Sequence, residues 1–152
     1  MSELIEGIKA PAFTLKNSEG ESVKLADFKG SRVILYFYPK DDTPGCTTEA
    51  CDFRDNFKKL KGSGAVILGV SPDTSESHSK FKAKYSLPFE LLADPEKKVA
   101  TLYGTYGEKK LYGKVSMGII RSTFVIGADG RIEKIYRNVK ATGHVEKVVN
   151  AL

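Results

Sequence analysis

Cysteine and histidine are both scarce in this sequence, with two residues of each type among 152. Two cysteines are too few for the disulfide framework that stabilises many small secreted domains. The N-terminal segment 1–7 also lacks the basic and apolar regions of a secretory signal. We therefore expect a reducing, cytoplasmic environment, in which a disulfide is transient or catalytic.

Long apolar runs and dense clusters of positive charge are missing as well. No apolar run approaches the roughly 20 residues that a membrane-spanning helix requires. The 24 basic and 19 acidic residues leave a net charge of +5, and the lysines occur in small scattered groups. This distribution is typical of a solvated surface rather than a groove for nucleic acid. We expect neither a membrane nor a nucleic-acid partner.

Internal repeats, low-complexity segments and linkers are absent too, which predicts a single domain over residues 1–152 with room for a substantial core. A metal site is not expected. The two cysteines are separated by four residues with no further ligand nearby, and His78 and His144 are distant in the chain. No other cofactor is indicated.

The most informative stretch runs from Pro39 to Cys51 and contains both cysteines. It follows the apolar run 33–38, which indicates a buried strand, and it precedes residues with helical periodicity. Cys46 is therefore expected in the first turn of a helix, where unpaired backbone N–H groups and the helix dipole favour negative charge. Because the thiolate is the reactive form of cysteine, Cys46 is a candidate nucleophile; the alternative is a buried structural cysteine.

The spacing of apolar residues predicts a helix from about Cys46 to Lys61 with one face against a sheet. That face comprises Cys46, Ala50, Phe53, Phe57 and Leu60. Cys51 lies about 140° away around the helix, which places its Cα roughly 8.6 Å from that of Cys46. A disulfide requires Cα atoms within about 7 Å. The cysteines are therefore either independent thiols or partners in a bond that forms only when the helix start unwinds.

The remaining elements predict an α/β fold. We expect an N-terminal hairpin from residues 12–15 and 22–25, a strand at 65–70, a helix following 71–75, an extended segment at 86–93, a helix from Asp94 to about Gly104, strands at 123–126 and 132–136, and a helix over 145–152. This order indicates the thioredoxin fold, a mixed central sheet flanked by helices, with the hairpin and an insertion as additions. Residues 104–118 form the insertion, which is either a pocket wall or an interface.

Several segments resemble a known family. The pattern Pro39-x-x-x-Thr43-x-x-Cys46 is similar to the active-site motif of peroxiredoxins, which are cysteine-based peroxidases. The longer run 44–51 resembles their Q-type branch, also called bacterioferritin comigratory proteins. Segments 69–71, 92–94 and 121–124 are similar to that branch as well, so the resemblance covers nearly the whole chain.

The resemblance implies a role for each cysteine. Cys46 would be the peroxidatic cysteine, which attacks a hydroperoxide and becomes a sulfenic acid. Cys51 would be the resolving cysteine, which condenses with it to an intramolecular disulfide. A thioredoxin or glutaredoxin-like protein would then reduce that disulfide. For the whole protein the resemblance implies antioxidant activity in a monomer or weak homodimer.

Four further residues receive roles by the same resemblance. Thr43 would hydrogen-bond the thiolate or the peroxide, Pro39 would shield the pocket, and Arg121 would place a positive charge beside the sulfur. Glu49 would orient that arginine. Each has a simpler alternative from residue type alone: Thr43 as a turn or capping residue, Arg121 as a surface charge, and Glu49 as an acid that favours the first helical turn.

The sequence leaves two other functions open. The first is a redox sensor or holdase, in which the two cysteines switch the exposure of an apolar surface. The second is a thiol–disulfide exchange enzyme, although the cysteine spacing differs from C-x-x-C, and Arg121-Ser122 stands where such enzymes usually carry a proline.

Overall fold

The computed structural model describes residues 4–152; residues 1–3, which the sequence assigns to the same domain, lie outside the described residues. The strands are β1 Thr14–Asn17, β2 Ser22–Lys24, β3 Arg32–Phe37, β4 Ala65–Ser71, β5 Glu90–Ala93, β6 Tyr106–Leu111, β7 Lys114–Ile119, β8 Ser122–Ile126 and β9 Ile132–Tyr136. The helices are α1 Pro44–Asp55, α2 Phe57–Gly62, α3 Ser75–Tyr85, α4 Lys98–Leu102 and α5 His144–Asn150. A short 3-10 turn covers Leu25–Phe28.

Seven strands form one mixed sheet in the order β2-β1-β5-β4-β3-β8-β9. β3, β4 and β5 are parallel, and β1, β8 and β9 pair antiparallel with their neighbours. The parallel strands are joined by α1 and α2 and then by α3, so these helices cover one face of the sheet. The mixed α/β fold and the N-terminal hairpin predicted from the sequence are confirmed. The carboxyl end of β3, where the cysteine segment begins, lies at the edge where such sheets carry their sites.

Alternate side chains of β3 enter two separate apolar cores, as the two-residue period of a strand requires. Ile34 and Tyr36 pack with α1, α2, α3 and α5 on one face. Leu35 and Phe37 pack on the other face with α4 and the N-terminal segment. Both faces of β3 are therefore buried, which explains the continuous apolar run in the sequence.

The expected helix 46–61 is not continuous. α1 ends at Asp55 and α2 begins at Phe57, with Asn56 between them at φ −102° and ψ 7°. The Asn56 side-chain amide donates to the Asp52 carbonyl at 2.9 Å and competes with the regular helical bond. The break leaves Leu60 buried and Phe57 partly buried against the same core, so the predicted apolar face persists across it.

The helix expected from Asp94 begins later, at Lys98. Asp94 to Lys97 form a turn in which the Lys97 N–H donates to the Asp94 carbonyl, and Lys97 takes a left-handed φ of 58°. The Asp94 carboxylate still accepts from the N–H groups of Val99 and Ala100. The predicted start of this helix was therefore wrong by about four residues: Lys97, not Asp94, is the N-cap residue, and Asp94 contacts the first turn from the preceding turn.

The insertion 104–118 forms a two-stranded antiparallel hairpin from β6 and β7, separate from the main sheet. Its turn is Tyr112-Gly113, both with positive φ, which is the geometry of a tight two-residue hairpin loop. Within residues 4–152, none of the helices combines the length and apolar character needed to cross a bilayer.

Candidate active site

The segment that carries Cys46 leaves the sheet at the end of β3 and enters α1 through a short loop. Thr43 is the N-cap residue of α1 in extended conformation, and Pro44 occupies the first helical position, where a missing N–H costs nothing. Cys46 is therefore the third residue of the helix, as the sequence predicted. The first N–H groups of α1 have no partner within the helix and point toward its N-terminal end.

The sulfur of Cys46 is buried and paired with a positive charge. Cys46 is only 2% exposed, and the Arg121 Nη2 donates to its Sγ at 3.2 Å. Arg121 lies in the two-residue connection 120–121 between β7 and β8, and its side chain is only 14% exposed. The guanidinium and the helix N-terminus both place positive potential at this sulfur. Arg121 is thus a residue of the site rather than an ordinary surface charge.

Glu49 holds the same guanidinium from its other side. Its carboxylate Oε1 accepts from Arg121 Nη1 at 2.6 Å, and the side chain is fully buried. Burial raises the pKa of the Glu49 carboxyl to about 7, although the Arg121 charge acts in the opposite direction. Burial alone would lower the pKa of Arg121, but the negative charges of Glu49 and Cys46 outweigh it and raise that pKa. The arginine therefore stays charged while it contacts Cys46 and Glu49 with separate nitrogens.

The raised pKa of Glu49 makes the stability of the fold depend on pH. The folded protein keeps this proton up to about pH 7, whereas the unfolded chain releases it near pH 4.5. Between these values the folded state binds more protons, so the free energy of unfolding falls as the pH rises through this window. We expect a loss of roughly 3 kcal/mol, absent in Glu49→Gln. Urea unfolding of the parent and of Glu49→Gln, both in the reduced form, measures this loss across the pH window. Equal pH slopes in the two proteins would contradict the raised pKa of Glu49.

Cys51 lies on the same uninterrupted helix as Cys46. It is half-buried, and both cysteines are reduced. Because α1 runs from Pro44 to Asp55 without a break, the ideal-helix separation of about 8.6 Å between their Cα atoms applies. That separation exceeds the limit of about 7 Å for a disulfide. Bond formation therefore requires part of α1 to open.

The other two motif residues line the approach to α1. The Thr43 hydroxyl donates to the Lys40 carbonyl at 2.9 Å, which leaves its lone pairs able to accept a hydrogen bond. Although Thr43 is the N-cap residue, its side chain makes no capping bond to the helix. Pro39 is half-buried at the start of the loop. The structure thus places both residues within one short loop beside Cys46.

Two residues near the site escaped the sequence reasoning. A Cβ on Gly45 would lie 3.2 Å from Arg121 Nη2, so the absence of a side chain lets the guanidinium reach the sulfur. Lys109 of the β6–β7 hairpin has a pKa lowered by partial burial and by the charge of Arg121. A glycine in a first helical turn could have been noticed, whereas nothing local to Lys109 indicates its proximity to the site.

The fold and this geometry define a thioredoxin-fold protein with a buried, arginine-paired cysteine in the first turn of a helix. Residues 7–135 match the model of the AhpC/TSA family. The chain is 53% identical over 146 residues to peroxiredoxin Bcp of Bacillus subtilis, an alignment that covers 96% of this chain and 93% of that protein. Its identity to peroxiredoxin Bcp of Escherichia coli is 45% over 152 residues, or 100% of this chain and 97% of the relative.

Solved structures support the same family relationship as the sequence relatives. A cysteine-to-serine variant of PrxQ from Xylella fastidiosa superposes with a TM-score of 0.92 at 35% identity and covers 99% of this chain and 96% of its own. The bacterioferritin comigratory protein of Xanthomonas campestris gives a TM-score of 0.86 at 39% identity, with 91% and 88% coverage. The chain belongs to the AhpC/TSA family, in its Bcp peroxiredoxin branch. It is a thiol-dependent peroxidase, and the resemblance noted from the sequence is confirmed.

Proposed function

We propose that Cys46 is the peroxidatic cysteine of this peroxidase and Cys51 its resolving cysteine, acting on hydrogen peroxide and small organic hydroperoxides. The observation that carries the proposal is the 3.2 Å contact between Arg121 and the buried Cys46 sulfur at a helix N-terminus. A thiolate held there meets the requirements of attack on an O–O bond: an ionised nucleophile, a fixed positive charge and little water.

The chemistry proceeds in three balanced steps. The Cys46 thiolate attacks one peroxide oxygen, the O–O bond breaks, and the other oxygen leaves as water or an alcohol after taking up a proton. Cys46 becomes a sulfenic acid. The Cys51 thiol then gives up its proton and attacks that sulfur, which forms the S–S bond and releases the sulfenic hydroxyl, with that proton, as water. A dithiol protein of the thioredoxin or glutaredoxin type reduces the disulfide by thiol exchange.

The surrounding residues take supporting roles in this proposal. Arg121 stabilises the thiolate and the negative charge that develops on the leaving oxygen. Glu49 fixes the orientation of Arg121 through the second guanidinium nitrogen. The Thr43 hydroxyl accepts a hydrogen bond from a peroxide O–H, while it donates its own hydrogen to the Lys40 main-chain carbonyl. Pro39 keeps water away from the loop side of the sulfur.

The unit that carries this activity is proposed to be one domain spanning residues 1–152 and to act as a monomer or weak homodimer. The scarcity of cysteine supports a reducing, cytoplasmic environment for it. The scattered charge supports the absence of nucleic-acid or membrane partners.

The product of a single oxidation tests the assignment. One equivalent of hydrogen peroxide is added to the reduced protein, and the product is mapped by mass spectrometry. We expect a loss of two hydrogens and a peptide link between Cys46 and Cys51. In Cys51→Ser the same treatment is expected to add one oxygen at Cys46, trapped by a sulfenic-acid reagent. The assignment would be overturned if peroxide still oxidised Cys51 in the Cys46→Ser variant. It would also be overturned if the parent protein formed a disulfide only between molecules.

A further inference from the structure

A second buried polar cluster lies next to the site and has no part in the chemistry described above. It consists of Tyr38, Asp41, Ser77 and His78 and is called here the Asp41 cluster. One carboxylate oxygen of Asp41 accepts from the Tyr38 hydroxyl at 2.5 Å. The other lies 2.8 Å from the Ser77 hydroxyl and 2.7 Å from His78 Nδ1. His78 is fully buried and Asp41 only 7% exposed.

The hydrogen bonds of His78 identify which ring nitrogen carries its hydrogen. Its Nε2 lies 2.9 Å from the Leu92 carbonyl oxygen, which only accepts, so Nε2 carries a hydrogen. Its Nδ1 faces the Asp41 carboxylate at 2.7 Å. The Asp73 carboxylate lies close enough to Asp41 and His78 for the three side chains to form a group of potential metal ligands. However, its Oδ2 already accepts from the Ser71 hydroxyl and from the Asp41 main-chain N–H, at 2.6 and 2.8 Å.

The cluster joins the loop before Cys46 to the first turn of α3. Asp41 belongs to the loop, two residues before Thr43, whereas Ser77 and His78 belong to α3. The Thr43 hydroxyl closes the loop onto the Lys40 carbonyl, directly before Asp41. Burying a carboxylate is unfavourable unless it is fully paired, and here its partners are Tyr38, which directly follows β3, and two residues of α3. The position of Thr43 therefore depends on the Asp41 carboxylate.

We propose that Asp41, held by His78 and Ser77, is a positioning residue that fixes Thr43 and the start of α1 for attack on the peroxide. The inference rests on the proposed function of Cys46. The Asp41 cluster acts through the loop and does not touch the reacting atoms. Its loss therefore changes the alignment of the peroxide rather than the intrinsic reactivity of the sulfur.

The test compares two reactions of the same sulfur in a Cys51→Ser background, so that only Cys46 reacts. The first is the second-order rate constant with hydrogen peroxide, and the second is that with iodoacetamide, which has no O–O bond to align. A purely structural role would leave the ratio of the two constants unchanged. We expect Asp41→Ala to lower the ratio at least about tenfold, the scale of a misplaced catalytic group.

Asp41→Asn serves as the conservative rescue. The asparagine oxygen accepts from Tyr38, and its two N–H groups donate to Ser77 Oγ and to the neutral Nδ1 of His78, so every bond of the cluster has a counterpart. We expect it to restore the ratio to within about threefold of the parent, a difference of less than 1 kcal/mol. Asp42→Asn is the matched control, because Asp42 joins the same loop to α3 through the exposed Lys84 and the half-buried Tyr85. Its ratio should equal that of the parent.

The outcomes separate this inference from the proposed function. A parent protein that does not react with peroxide refutes the proposed function. A parent that reacts, together with a folded Asp41→Ala whose ratio is unchanged, refutes only the positioning role. If Asp41→Ala does not fold, Ser77→Ala decides, because it removes one donor from a half-buried position. A lowered ratio supports the proposal, and an unchanged one overturns it.

Discussion

Replacing Cys46 with serine is expected to abolish peroxide turnover, with a fall in kcat/KM on the order of 10⁴-fold or more. Serine is nearly isosteric, but its hydroxyl is not ionised at neutral pH, so neither Arg121 nor the helix N-terminus has a nucleophile to stabilise. Consumption of hydrogen peroxide, coupled to thioredoxin and its reductase, measures the effect. Far-ultraviolet circular dichroism should show an intact fold.

Cys51→Ser is the matched variant and should separate the two steps of the cycle. We expect its first reaction with peroxide to proceed within about twofold of the parent rate, because Cys51 lies outside the Arg121–Glu49 contacts. Its turnover with thioredoxin should be lost, because no disulfide forms for the reductant to attack. Full thioredoxin-dependent turnover in this variant would refute the resolving role of Cys51. Turnover in Cys46→Ser would refute the peroxidatic role.

The position of Cys46 could be predicted because its determinants are local in sequence. An apolar strand, a Pro/Gly loop and a helical period follow one another within 33–61, and parallel connections place their junction at the edge of the sheet. The break at Asn56 could not be predicted in this way. At the break the Asn56 side-chain amide shares the Asp52 carbonyl with the Asn56 main-chain N–H, a contact that apolar periodicity does not detect.

Contacts between residues that are far apart in the chain could not be predicted from local sequence patterns. Arg121 is 75 residues from Cys46, and residue type alone favoured a surface position. Only the family resemblance placed it beside the sulfur. His78 is distant from the cysteines in the chain, yet the crossover from β4 to α3 brings it against Asp41 in the loop before Cys46. Lys109 approaches Arg121 because of how the β6–β7 hairpin folds back, and its mostly exposed residues carry no burial pattern that would reveal this.

Arg121→Met is expected to slow the reaction of Cys46 with hydrogen peroxide by about 10²- to 10³-fold, the usual effect of removing one preorganised donor at a developing charge. Arg121→Lys should recover only part of the loss. An ammonium group provides a point charge, whereas the guanidinium contacts Cys46 and Glu49 with two nitrogens at once. Stopped-flow measurement of the second-order rate constant gives the comparison.

Two further variants separate the chemical role of Arg121 from its structural one. Arg121→Met leaves Glu49 buried without a partner, so lost stability could be mistaken for lost chemistry. The double variant Arg121→Met with Glu49→Gln removes that carboxylate and should regain stability to urea but not the rate. Gly45→Ala keeps every charge and pushes the guanidinium, because its Cβ would lie 3.2 Å from Nη2. It should slow the reaction while stabilising α1, since alanine favours a helix. A double variant that recovers the parent rate would show that Arg121 acts on the fold alone.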